Sequence, residues 1–155
     1  MIIDTTQIWN TKRFWLDDVN LKSSEVLKSI SGDEHHSYYH TYLFRDTTLD
    51  KNIHDAEKKA LSQRAGELKT HKISLKGNGY KTIHSTKNIK GFYIVSAQPV
   101  FSTDMNYAFV DITVFHKDTV KDEQSESYFG TICIVYQRQS DNNWKKIKVA
   151  EWLIL

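Results

Sequence analysis

The densest group of side chains able to do chemistry is His35-His36-x-x-x-His40, preceded by Asp33 and Glu34. On a helix, His36 and His40 stand on one face a turn apart, a spacing at which two imidazoles can hold one metal ion. On a strand they share a face but stand farther apart. There is no His-Glu-x-x-His run, so the metalloprotease signature is missing. Half-buried histidines hydrogen-bonded among Tyr38 and Tyr39 account for the cluster without a metal, and no cofactor is expected. The second group centres on Asp111. A carboxylate held between Tyr107, Phe109 and Phe115 would be desolvated and its pKa raised, as a general base requires. Tyr107 and His116 are the side chains near enough in sequence to join it. The bland counterpart is an Asp open to water, or one paired with Lys146 or Lys148 across a sheet. Cys133 lies in the apolar run Ile132-Cys133-Ile134 and reads as a small buried hydrophobe rather than a nucleophile.

Charge marks a third region. The chain has 155 residues with 21 Lys and Arg against 19 Asp and Glu, a formal net charge of +2. That balance predicts no general attraction to nucleic acid or membrane. The distribution is uneven: no acid occurs from Leu68 to Thr103, where six lysines lie, while Asp104 to Glu126 holds six acids and two lysines. The polar stretch 116–127 reads as a long loop between two strong strands, and long loops are often functional. Its acids, Asp118, Asp122, Glu123 and Glu126, are candidates for contact with a basic protein partner. Trp144 and Trp152, on the Lys146/Lys148 side of the last strand, have a nucleic-acid flavour. The near-neutral charge and the lack of any RNP, KH or helix-turn-helix pattern weigh against it. There is no P-loop, G-x-G-x-x-G, G-x-S-x-G or C-x-x-C either, so nucleotide hydrolysis, Rossmann chemistry and serine-hydrolase chemistry are poorly supported.

The elements that must position these residues change period along the chain. Residues 1–69 read mainly as helix and loop, and 70–155 mainly as strands, which argues for a single α+β domain. The clearest helix is 49–69, with Ile53, Ala56, Ala60, Leu61, Ala65 and Leu68 on one face and Lys58 mainly on another. A shorter helix covers 23–30. Residues 33–44 suit helix or strand, and Trp9, Phe14 and Trp15 are expected to anchor the N-terminal segment. In Tyr107–Phe115 the aliphatic set Ala108, Val110, Ile112 and Val114 is expected to face the helices. Tyr128–Tyr136 reads as a central strand and Trp144–Leu155 as the last, joined by a turn at Ser140-Asp141-Asn142-Asn143. A turn at Thr103-Asp104-Met105-Asn106 follows a strand near 91–101, whose end Pro99 demotes to an edge or bulge. Ile73–Leu75 and Tyr80–Ile83 are candidate short strands around Gly77-Asn78-Gly79. The expected architecture is N-terminal helices packed on one face of a curved, mainly antiparallel sheet of four to six strands, with an NTF2-like cone as the second choice. No run approaches the roughly 18 apolar residues of a bilayer span, and the first residues lack the basic and apolar regions of a signal peptide. A cytoplasmic location is expected, or an exported one if a leader lies outside this sequence.

The C-terminal half resembles a family of small uncharacterised bacterial α+β domains. The resemblance runs over about residues 50–155. It is carried by Tyr93-Ile94-Val95-Ser96-x-x-Pro99-Val100-Phe101-Ser102-x-Asp104, Tyr107-Ala108-Phe109-Val110, Gly130, Tyr136, Trp144 and Trp152. The chain departs from the family in Ala97-Gln98 between Ser96 and Pro99, in lacking a Cys-Gly pair before the core strand, and in a longer, more acidic 116–127 stretch. The resemblance implies a fold and brings no established activity. The favoured expectation is a non-enzymatic binding or interaction domain, of immunity type or accessory to a larger bacterial system. The alternative is a small-molecule or enzymatic pocket on the aromatic strand face around Asp111. The oligomeric state is left open.

Overall fold

The computed structural model describes residues 1–5, 16, 21–30, 43–73, 81–87, 89–120 and 123–153. Within them, three helices accompany a seven-stranded mixed sheet that does not close: an α+β fold. The helices are α1 (Ser24–Ile30), α2 (Thr47–Asn52) and α3 (Asp55–Glu67), with a 3-10 turn at Leu43–Arg45. The strands are β1 (Ile2–Ile3), β2 (Thr82–Ile83), β3 (Gly91–Ser96), β4 (Val100–Phe101), β5 (Tyr107–Val120), β6 (Glu123–Arg138) and β7 (Trp144–Leu153). The sheet order is β2-β1-β3-β5-β6-β7, with β4 pairing β5. All pairings are antiparallel except those of β1, which lies parallel to both β2 and β3. The sheet thus has more strands than the four to six expected, since the two-residue strands β1, β2 and β4 are too short to show a period.

The single helix expected over 49–69 is two helices. Asp46 caps α2 by accepting from the Thr48 and Leu49 backbone N–H groups. The chain then turns extended at Ile53 and His54 before α3 begins. Pro99, with no N–H to give, separates β3 from β4 as its chemistry demands. Both expected turns form: Met105 and Asn142 take left-handed backbone angles, φ 57° and 64°, and Asp104 and Asp141 each accept from the N–H two residues on.

The larger correction concerns 116–127, which is not a long loop. β5 runs on to Val120 and β6 starts at Glu123, in continuous register from Phe115↔Tyr128 to Val120↔Glu123. A run of polar residues hid the strand, because it lacks the apolar alternation by which a half-buried strand is read. The facing of β5 is also the reverse of expectation. Phe109 packs near Phe44 with ring centroids 6.4 Å apart. Tyr107, Phe109, Cys133, Val135 and Ala150 share one core with Leu49, Ile53, Leu61 and Ala65 from the helices. The aromatic set is therefore the inner one, and Ala108, Val110 and Ile112 point outward. The aromatic set carries the polar Asp111 and Thr113, which favoured the wholly aliphatic set as the inner one; the rings of Tyr107 and Phe109 nonetheless fill the space beneath the helices.

Candidate functional site

Two bulges decide which side chains of the sheet meet. One shifts the β5–β6 register between Val114 and Phe115, the other the β6–β7 register between Val135 and Tyr136. The second makes Lys148 the partner of Val135 and Lys146 the partner of Tyr136. Lys148 lies on the inner face, within 3.4 Å of Asp46 at the start of α2, while Lys146 lies on the outer one. The row of lysines expected on one face is thereby split between two, which removes the phosphate-tracking stripe a stacking surface would need. Trp144 shares the outer face, its ring 5.8 Å from that of Phe101.

Asp111 is on the inner face and 2% exposed. The Thr131 hydroxyl donates to its Oδ1 at 2.8 Å. Cys133 is its direct cross-strand partner. Burial pushes the Cys133 thiol well up, and the nearby Asp111 charge adds to this. Burial and then Asp111 likewise raise the Tyr128 phenol. The sequence reading singled out Asp111 but did not find Thr131 and Tyr128. Both lie on another strand: Thr131 stands beside Asp111 through the regular β5–β6 register, and Tyr128 comes onto the same face through the bulge. Tyr107 shares the inner face but lies four residues along, about 13 Å from Asp111. Its hydroxyl accepts from the Gln137 amide at 3.3 Å. It also lines a cavity of about 260 Å³ with Asp46, Leu49 and Lys148. His116 is on the opposite face from Asp111 and does not join it. Two further cavities walled by described residues lie elsewhere, one of about 480 Å³ beside Arg64, Pro99 and Met105 and one of about 290 Å³ beside Ile2, Ile94 and Ile112.

On the outer face His116 belongs to a different group. Phe92, 53% exposed, stacks tilted on the His116 ring at 4.5 Å and meets Phe129 edge-on at 4.9 Å. His116 Nδ1 lies 3.4 Å from Asp118. Beyond Gly91↔Lys117 no residue of β3 pairs with β5, so Asp118–Val120 and Glu123–Ser125 form a two-stranded arm. Asp118 and Glu126 are exposed on it or at its base. The Glu126 carboxylate adds to burial in raising the Tyr93 phenol. Lys117 is turned away from the surface, 6% exposed, with its Nζ donating to the Thr86 carbonyl at 2.8 Å. The arm's acids are thereby left with less cationic company than the sequence suggests. Asp122 and the side chain of Glu123 lie outside the described residues, as do Trp9, Phe14, Trp15, His36 and His40. Among the described residues no cluster of three His, Cys, Asp or Glu could hold a metal ion, and no helix is long and apolar enough to cross a membrane.

No family model, curated protein or solved structure matches the chain.

Proposed function

We propose that this chain is a non-enzymatic binding domain whose contact surface is the β5–β6 arm and the aromatic group at its base. The occupant it suits is a protein presenting cationic side chains around an apolar one. The observation that carries this reading is Phe92, more than half exposed against His116 and Phe129, at the root of an arm that bears Asp118 on the same face and Glu126 on the other. A large exposed ring held by its neighbours costs little entropy on docking; the adjacent Asp118 contacts a basic partner, and Glu126 adds to the field that steers it. Immunity-type or accessory proteins need no more than such a surface on a stable scaffold. The bacterial family resemblance and the NTF2-like cone belong to the same proposal; helices on one face of long bulged strands are what supports the cone. The test is affinity capture with wild type and with a variant carrying Phe92→Ser, Asp118→Asn and Glu126→Gln. A basic protein retained by wild type and lost by the variant, at unchanged melting temperature, is expected. Equal retention by both overturns the reading.

A second reading rests on the buried Asp111–Thr131 pair, because a carboxylate shut in an apolar core often serves a ligand. It makes the inner face a small-molecule site. In a thermal-shift screen of cationic and hydrogen-bonding compounds, a compound that stabilises wild type but not Asp111→Asn is the expected hit. Hits that stabilise both proteins alike would remove Asp111 from the site.

A further inference from the structure

The outer face of the β6–β7 pair is apolar and open at the end of the sheet away from the arm. Ile132, Ile134 and Tyr136 face outward from β6, since Tyr136 lies opposite Ala108 and Ile134 opposite Val110. Val149 and Trp144 of β7 are each 39% exposed. Three charged side chains stand on this face: Arg138 at its end, opposite Trp144, and Lys146 and Glu151, whose positions are not arbitrary. Cross-strand pairing runs Tyr136↔Lys146, Ile134↔Val149, Ile132↔Glu151. Lys146 and Glu151, both exposed, therefore flank the Ile134–Val149 pair symmetrically, each displaced by two residues of β6, about 7 Å. The bulge is what brings this about. Lys148 is held inside by Asp46, and without the extra residue in β7, Lys146 would share its face.

We infer that this surface is the interface of a symmetric dimer, with a second copy of the chain laid face to face over the Ile134–Val149 pair. The symmetry argument selects the occupant. A two-fold axis between the sheets and perpendicular to the strands reverses position along the strand and keeps position across it. Centred on Ile134–Val149, it sets Lys146 of each copy against Glu151 of the other, twice per dimer. The apolar side chains between them meet their own equivalents, as an isologous interface requires. Two packed sheets of this kind enclose a core about 10 Å thick, and opposite charges at its margin fix register and exclude misaligned pairings. The arm itself lies past the end of this patch, and the inference does not rest on the partner reading proposed above.

Charge exchange tests the inference on the full chain. Wild type is expected to sediment as a dimer. Lys146→Glu alone, or Glu151→Lys alone, sets like charges together and weakens the dimer by about tenfold or more. The double variant Lys146→Glu/Glu151→Lys restores it, and mixing the two single variants gives a heterodimer, because all contacts then have opposite sign. Treatment of wild type with a zero-length carbodiimide is expected to join Lys146 to Glu151. Along one strand these two are about 13 Å apart, so the bond must run between copies, which a mixture of isotope-labelled and unlabelled chains will show. A wild type that stays monomeric throughout overturns the inference. So does a dimer indifferent to these substitutions, which would point to pairing through the edge of β7.

Discussion

Lys58 shows how far a single residue can depart from its apparent role. Its position in α3 marks it as a solvated charge, yet it is 2% exposed. Its ammonium meets Asp50, lies 3.2 Å from Asp55 and sits 4.8 Å from the centre of the Phe44 ring. Asp50 also accepts from the Ser24 backbone N–H at 2.9 Å, tying α1 to α2 and α3. Burial pushes the Asp50 carboxyl up, but the Lys58 ammonium and the Ser24 N–H outweigh it and hold the pKa below the usual value. The sign follows: a carboxyl lowered in the folded state stabilises fully above the ordinary pKa of about 4 and loses that contribution as the pH falls through the lowered value. Asp50→Ala strands a buried ammonium with only the exposed Asp55 and the ring beside it. It should cost about 3 kcal/mol at neutral pH, measured by urea unfolding. The same variant should lose part of the wild type's sensitivity to acid. A cost under 1 kcal/mol would show the pair to be dispensable. Nothing in the periodicity pointed to this burial, because Asp50 and Phe44 come from a second helix and a 3-10 turn.

At the scale of elements, α3 carries the plainest engineering test. Gly66 stands one residue from its end, and a Cβ added there meets nothing within 4 Å. Gly66→Ala should therefore stabilise the chain by about 0.5–1 kcal/mol through the entropy of the unfolded state, seen as a higher urea midpoint with unchanged slope. A loss of stability would mean that α3 ends before Gly66. The α2–α3 break was hidden in the sequence for a related reason: Leu49, Ile53, Ala56 and Ala60 keep a helical spacing across it. The break lies in the backbone of Ile53 and His54, where α2, capped at its start by Asp46, ends after only six residues. The β5–β6 hairpin was under-read in the same way. Its outer half pairs Lys117 with Glu126 and Asp118 with Ser125, which is legible as cross-strand complementarity only once the register is known.

For the whole molecule, the near balance of charge opposes self-association little, and the paired Lys146 and Glu151 contacts account for selectivity in the dimer inferred above. Raising the salt concentration should shrink the gap between the single charge variants and wild type, while leaving the apolar contribution of Ile134 and Val149 in place. The sequence by itself determined the α+β class, helices before most of the strands, both tight turns, the interruption at Pro99 and the burial of Cys133. These follow from properties carried by one or a few neighbouring residues: a missing N–H, a side-chain cap, or an apolar run. Only the tertiary structure decided which face of β5 lies under the helices, which lysine points outward, that His116 and Asp111 lie on opposite faces, and that Thr131 and Tyr128 stand beside that carboxylate. Each of these depends on tertiary packing, on how far β5 runs, on strand register or on one of the two bulges. A shift of one residue exchanges every side chain between the faces, and where both faces are largely apolar no local pattern can settle it.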